Sequence, residues 1–316
     1  MLKYVAKRIV AGIPIVAVVG ILVFFIIHLI PGNPAEVMLG SDAKPEDVQQ
    51  LTKKMGLDQP LIVQFGSWSL QVLQGNLGDS IYYNSPVLQV LSAKMEPTVI
   101  MIVYAMAIAI FLGIPVGVIS AIKRNEWLDR ICMGVTMAGM SVPSFLLGLV
   151  MVMVFSLTFK IFPAVGYKEI AEVGLFKAVF VYLTLPSLTL GLQRTASLAR
   201  VTRSAMLDVL GEDYIRTARA KGLNEYSIIM LHALKNAMGP ILTQIGFSIA
   251  QLAAGAVVIE TIFNIAGIGQ VAYFALLRRD YPLIQGYILV IAFVYVGINI
   301  AVDILYKFFD PRVDVG

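Results

Sequence analysis

The chain has 316 residues, of which 58% are hydrophobic and 14% are charged, and its mean hydropathy is +0.82. A water-soluble globule does not carry so much apolar surface, so this composition predicts an integral membrane protein that contacts the lipid bilayer. The formal net charge of +4 is small and gives no indication of nucleic-acid binding. The single cysteine, Cys132, cannot form a disulfide within the chain, and His28 and His232 lie far apart, so we expect no metal site.

Six apolar segments are long enough to cross a bilayer as helices. A hydrocarbon core of about 30 Å needs roughly 20 helical residues. The predicted spans cover residues 9–30, 98–121, 133–157, 176–198, 241–264 and 284–306. Pro186 interrupts the fourth span, which we retain because membrane helices tolerate a proline kink. The first span is too long for a secretory signal and no cleavage site follows it, so we expect it to remain as an anchor.

The distribution of basic residues predicts the orientation of these spans. Most of the 24 lysines and arginines fall on one side of the membrane if the N-terminus is cytoplasmic. Because basic loops stay in the cytoplasm, we predict that both termini and residues 199–240 are cytoplasmic. Residues 31–97 are then an extracytoplasmic helical insertion, in which apolar spacing predicts two short amphipathic helices beginning at Pro45 and Pro60.

Motifs for nucleotide binding or hydrolysis are absent from the sequence. It contains no G-x-x-x-x-G-K-[ST], no G-x-S-x-G and no H-E-x-x-H, so we predict no catalytic residue. If this protein uses ATP, another chain must bind it.

Two acids lie within the predicted spans, Glu260 near the outer end of the fifth and Asp303 near the inner end of the sixth. An acid at membrane depth is a functional candidate, but a proton relay needs acids near the middle of the bilayer. We therefore expect both carboxylates to reach interfacial water or a polar neighbour.

Four neutral polar residues also lie within the fifth and sixth spans. They are Gln244, Ser248, Gln251 and Asn299. Two interpretations fit these positions: the side chains either line a path for a polar solute or hydrogen-bond to neighbouring helices.

The segment GEDYIRTARAKGLNEYSIIMLHALKNAMGPIL, residues 211–242, is a charged segment between two apolar spans. Asp213 at the cap position predicts a helix through YIRTARAK, and Gly222 fits a left-handed turn at its end. Asn224 is placed to cap a second helix, which we expect Gly239 and Pro240 to end just before the fifth span. The charged segment is therefore predicted to fold as two helices around a glycine turn.

This charged segment resembles the cytoplasmic EAA loop of bacterial ABC importer permeases, in the form found in the dipeptide, oligopeptide and nickel branch. Gly222 matches the glycine of the motif, whereas Arg216 and Thr217 stand where the general signature has glutamate and alanine. Three other stretches resemble the same branch: KRIVAGIPIVAVVGILVFFIIHLIPGNPA, MGLDQPLIVQFGSWSLQVLQGNLGDSI and ETIFNIAGIGQVAYFALLRRDYPLIQG. In the last one, Ile265 and Ala266 replace the usual Trp-Pro before Gly267.

The resemblance implies an all-α membrane protein with the type I ABC importer permease fold, located in the bacterial inner membrane. It also implies that the EAA-type loop is the coupling element that docks on an ATPase subunit. Arg216, Arg219 and Lys221 would supply electrostatic contacts there, and small residues would allow close packing. The predicted coupling residues are Asp213, Tyr214, Arg216, Thr217, Ala218, Arg219, Ala220, Lys221 and Gly222.

The same resemblance implies the partners and the cargo. A homologous permease subunit would complete a heterodimer, two ABC ATPase subunits would bind ATP and Mg²⁺, and an extracytoplasmic solute-binding protein would deliver the solute. We expect a di- or oligopeptide, with a nickel chelate, glutathione or an opine-like solute as alternatives. The alternatives of another class are a secondary transporter or channel that works without ATP and a membrane scaffold that transports nothing.

Overall fold

The computed structural model describes residues 2–29, 44–54 and 56–309, and these are mostly helical. The start of the predicted insertion and the ends of both termini lie outside these ranges. The helices within them are α1 (Leu2–Leu29), α2 (Pro45–Lys54), α3 (Leu61–Leu73), α4 (Val87–Ala93), α5 (Met95–Ile122), α6 (Trp127–Ser141), α7 (Ser144–Thr158), α8 (Ile170–Val173), α9 (Leu175–Tyr182), α10 (Thr184–Leu210), α11 (Asp213–Ala220), α12 (Glu225–Ile262), α13 (Ile268–Leu277) and α14 (Tyr281–Phe309). A short antiparallel pair, β1 (Asp79–Ser80) and β2 (Ser85–Pro86), precedes α4.

Four to six candidate spans are present in the described part of the chain. Helices α1, α5, α12 and α14 are each long and apolar enough to cross a membrane. Two further spans arise if each bent pair counts as one, namely α6 with α7 at 99° and α9 with α10 at 61°.

The sharp bend between α6 and α7 divides the predicted third span. Val142 is extended (φ −85°, ψ 123°) because a proline disfavours the helical conformation in the residue before it, and Pro143 is the cap of α7. Gln193 of α10 donates from Nε2 to the Val142 carbonyl oxygen (2.5 Å), which has left the helical hydrogen-bond pattern. The bend is therefore stabilised by a side chain about 50 residues away.

The fourth predicted span is also not one straight helix. Pro186 occupies the third position of α10, where a helix does not need the amide hydrogen that proline lacks. The bend of 61° falls just before this first turn. Helix α10 then continues to Leu210, twelve residues beyond the predicted end at residue 198, because its buried face persists through Ala205 and Met206.

The chain divides into two compact units. The first unit contains residues 1–95 and 270–296, and the second contains residues 96–269 and 297–316. In the second unit, α5 and α10 approach closely through glycines: a Cβ at Gly117 would lie 2.6 Å from the Ala199 carbonyl oxygen, and one at Gly191 would lie 2.8 Å from the Ala105 carbonyl oxygen. Small residues allow this backbone approach between membrane helices.

In the first unit, α3 packs its aromatic residues on α1. The rings of Phe65 and Trp68 lie 5.3 and 5.6 Å from the ring of Phe24. The buried Asp280 carboxylate accepts hydrogen bonds from the Ser80 hydroxyl (2.5 Å) and the Tyr82 amide (3.0 Å), so it fixes the β1–β2 turn to the start of α14.

Candidate functional site

The first helix of the charged segment is α11, which presents most of its surface to solvent. Only Ile215 and Ala218 are buried, and both join the core cluster that also contains Ile228 and Ala233 of α12. The prediction that Asp213 caps this helix is wrong. The cap position belongs to Glu212, which makes no side-chain cap hydrogen bond, and Asp213 is the first helical residue.

The turn after α11 forms the left-handed structure that the sequence predicts. Gly222 has φ +78°. Its amide donates to the carbonyl of Arg219 (2.9 Å), and the Leu223 amide donates to the carbonyl of Ala218 (3.3 Å). This is the Schellman pattern, in which a residue with positive φ closes the helix. The Asn224 side chain then accepts from the Ser227 amide (2.7 Å), so its predicted capping role is confirmed.

Exposed charged side chains form two ion pairs at this turn, and we call the pair between Arg219 and Glu225 the clasp. Arg219 donates from Nε and Nη2 to the two carboxylate oxygens of Glu225 (2.8 and 3.4 Å) and so joins α11 to α12. The Glu225 carboxylate raises the pKa of Arg219 through this hydrogen bond. Arg216 pairs with Asp213 at 3.2 Å, one helical turn away. Lys221, by contrast, makes no ion pair within the described part of the chain.

The remaining predicted coupling residues also lie on α11. Thr217, Ala220 and Tyr214 are exposed, while Ala218 is buried against the core. Partial burial raises the pKa of the Tyr214 hydroxyl above its ordinary value of 10, so this group stays neutral. The exposed face of α11 therefore combines small side chains, a tyrosine and paired charges, while its other face is anchored.

The second helix of the charged segment does not end at Gly239 and Pro240, as the sequence predicted. It continues as α12 to Ile262, with a π-helical stretch over Ile228–Ala233. Pro240 removes one backbone hydrogen bond, but Ala237 and Ile241 on either side of it are buried in the core, and this packing maintains the helix. The charged segment is consequently continuous with a candidate span.

The polar residues of the predicted pathway lie on α12 and α14. Gln244 donates from Nε2 to the hydroxyls of Ser197 on α10 (2.9 Å) and of the fully buried Ser248 (3.2 Å). Hydrogen bonding between helices, the second of the two interpretations, therefore applies to Gln244, whereas Ser248 bonds to Gln244 within α12 itself. Gln251 and Asn299 are half-buried.

Glu260 stabilises the turn between α12 and α13. Its fully buried carboxylate accepts a hydrogen bond from the Thr98 hydroxyl, which itself accepts from the Ile268 amide (3.0 Å). The Glu260 carbonyl accepts from the Ile265 amide (2.8 Å), and a Cβ at Gly267 would overlap the carboxylate. Glu260 thus reaches a polar neighbour, as predicted from the sequence, and Asp303 is half-buried on α14.

The chain is therefore a helical membrane protein with several candidate spans, and a charged helix–turn–helix leads into one of them. Comparison with known proteins gives the family. The chain matches the binding-protein-dependent transport system inner membrane component over residues 113–315 and the corresponding N-terminal component over residues 1–113. The chain belongs to this family of bacterial inner-membrane proteins, and it is accordingly a transport component rather than an enzyme.

Individual relatives agree with this family. The chain is 41% identical over 310 residues to the probable peptide ABC transporter permease protein y4tP of Sinorhizobium fredii, with 98% of each chain covered. It is 37% identical over 313 residues to the glutathione transport system permease protein GsiC of Salmonella choleraesuis, with 99% of each covered. Among solved structures, an inward-facing MetNI methionine ABC transporter matches its fold with a TM-score of 0.58, at 16% identity, over 70% of this chain and 97% of the other.

Proposed function

We propose that this chain is a permease subunit of an ATP-driven ABC importer and forms half of a translocation pathway for di- or oligopeptides. The observation that carries this proposal is the full-length similarity to a probable peptide ABC transporter permease. The sequence contains no P-loop, so the energy of ATP must come from another subunit.

Residues 213–235 of the charged segment couple that energy to transport. The exposed face of α11 docks on the ATPase subunit, while Ile215 and Ala218 transmit its movement to the helical core. Lys221 is available for an acidic partner group, and the Arg219–Glu225 clasp keeps α11 and α12 at a fixed angle. Because α12 is continuous into the fifth span, a displacement of the turn moves that span and alternates access to the pathway.

The complete importer contains a homologous permease subunit, two ATPase subunits that bind ATP and Mg²⁺, and an extracytoplasmic solute-binding protein. In this assembly the chain crosses the membrane six times, with each bent pair counted as one span and both termini in the cytoplasm. Gln251 and Asn299 face the pathway. This chain needs no cofactor of its own.

Reconstitution into liposomes tests the proposal. Vesicles that contain both permeases and both ATPases should take up a labelled dipeptide when the binding protein is outside and ATP is enclosed. Vesicles with this chain alone should take up none, even with an imposed ion gradient. Uptake by the chain alone would instead identify a secondary transporter or channel. An absence of uptake by the complete system would support a membrane scaffold that transports nothing.

Glutathione is the second candidate solute, because a full-length relative carries that name. Competition between unlabelled glutathione and a labelled dipeptide separates the two. A nickel chelate and an opine-like solute are the remaining alternatives, and the same competition assay with each of them ranks all four.

A further inference from the structure

A cleft opens between α6 and α10, within the second unit. Its volume is about 370 Å³. Its lining contains a cationic group and an apolar group of side chains, together with Asp129, Thr136 and Ser204. The cationic group is Arg130, Arg200 and Arg203, and the apolar group is Met133, Met137 and Met140.

The three arginines at the cationic end differ in their partners. Arg203 donates from Nε and Nη2 to the carboxylate oxygens of Asp129, both at 2.7 Å. Asp129 is 3% exposed and also accepts from the Ser120 hydroxyl and the Asn125 amide, so it is fully engaged. Arg130 and Arg200 are exposed, and neither makes an ion pair in the described ranges of the chain. This end therefore carries about two unbalanced positive charges.

The apolar end of the cleft follows Arg130 along one face of α6. Met133, Met137 and Met140 come at spacings of three and four residues, so they line up on one side of the helix. Met137 is 63% exposed and Met140 is 38% exposed. At about 1.5 Å per residue, the stripe extends roughly 15 Å from Arg130 to Met140, the length of a partly extended acyl chain.

We propose that this cleft binds an anionic phospholipid, with the headgroup phosphate between Arg130 and Arg200 and one acyl chain on the methionine stripe. The Asp129–Arg203 pair fixes α6 against α10 and so sets the width of the cleft. A soluble phosphate would leave the stripe uncovered, whereas a lipid covers both ends. Flexible, polarisable methionine side chains adapt to an alkyl chain, and basic pockets between membrane helices suit anionic headgroups.

The charge distribution that predicts a cytoplasmic N-terminus also places the cationic end at the cytoplasmic leaflet. The arginines therefore lie at headgroup level, and the methionines extend toward the hydrocarbon. The proposal does not depend on the transported solute, since lipid retention is measured without transport.

Native mass spectrometry of the detergent-purified complex tests the proposal. The complex is equilibrated with equal amounts of phosphatidylglycerol and phosphatidylcholine that have identical acyl chains. We expect selective retention of phosphatidylglycerol. The double variant Arg130→Gln/Arg200→Gln should retain it about 25-fold more weakly, because each arginine contributes about a fivefold factor. The matched control Lys123→Gln/Arg124→Gln removes the same charge from the loop before α6 and should retain it normally.

Two further arms distinguish the sources of an anionic ligand. Met137→Glu leaves both arginines in place and should reduce phosphatidylglycerol retention, since it puts a charge on the acyl seat. Inorganic phosphate at the same concentration should not displace the lipid. Equal retention of phosphatidylglycerol by the double variant and the control overturns the proposal. Displacement of the lipid by phosphate also overturns it, as does a cleft that the sister permease fills in the purified complex.

Discussion

Substitution of Gly222 tests whether the angle between α11 and α12 controls coupling. The glycine adopts φ +78°, and a Cβ added there would meet nothing within 4 Å. The cost of a larger residue is therefore conformational and not steric. An L-residue in the left-handed region costs roughly 1–2 kcal/mol, which lowers the population of the native turn by about 5- to 30-fold.

The expected result for Gly222→Val is that ATP hydrolysis becomes uncoupled from uptake while membrane insertion stays normal. A β-branched side chain is especially unfavourable at positive φ, so the turn shifts and the exposed face of α11 no longer meets the ATPase correctly. The assay measures labelled dipeptide taken up per ATP hydrolysed in proteoliposomes, with the amount of inserted chain determined by immunoblot. We expect this ratio to fall by about 5- to 30-fold.

Gly222→Asn is the matched control, because asparagine adopts the left-handed conformation with little penalty. It should retain most of the wild-type ratio of uptake to hydrolysis. Wild-type coupling in Gly222→Val would refute the role of this turn. Equal loss in the valine and asparagine variants would show that the backbone conformation is not the reason.

Three other substitutions address contacts in the second unit. Gly267→Ala should destabilise the protein by about 1–3 kcal/mol, because the new methyl group overlaps the Glu260 carboxylate. Gly134→Ala should not destabilise it, because the space around Gly134 is open, and thermal unfolding in detergent compares the two variants. By the same measurement, Gln193→Leu should lower the free energy of unfolding by about 1 kcal/mol or more, because the Val142 carbonyl loses its donor, and Gln251→Leu should lower it less. An equal loss of stability in the two variants would contradict the role of Gln193 at the bend. Arg219→Glu should reduce uptake but change the free energy of unfolding by less than about 1 kcal/mol, since the Arg219–Glu225 pair is exposed. The double variant Arg219→Glu/Glu225→Arg should restore most of the uptake, and a double variant as inactive as the single one would argue against a role for this pair.

The local structure of the charged segment was largely predictable from the sequence. The turn at Gly222 and the cap at Asn224 depend on hydrogen bonds between residues three to five positions apart, so the residue types alone indicate them. The same local reasoning gave a wrong helix end at Pro240. A proline usually ends a helix, but burial of its neighbours Ala237 and Ile241 maintains α12, and burial depends on the rest of the fold.

Hydropathy and the spacing of basic residues are properties of the chain, so they suffice to predict a membrane protein with a charged segment between apolar spans. The bends in the spans and the pairing of polar groups depend instead on how the helices pack. Gln193 reaches the Val142 carbonyl across 51 positions, Arg203 reaches Asp129 across 74, and Thr98 reaches Glu260 across 162. Each of these groups is a buried or half-buried donor or acceptor whose partner must come from another helix, and helix packing, not local spacing, selects that partner.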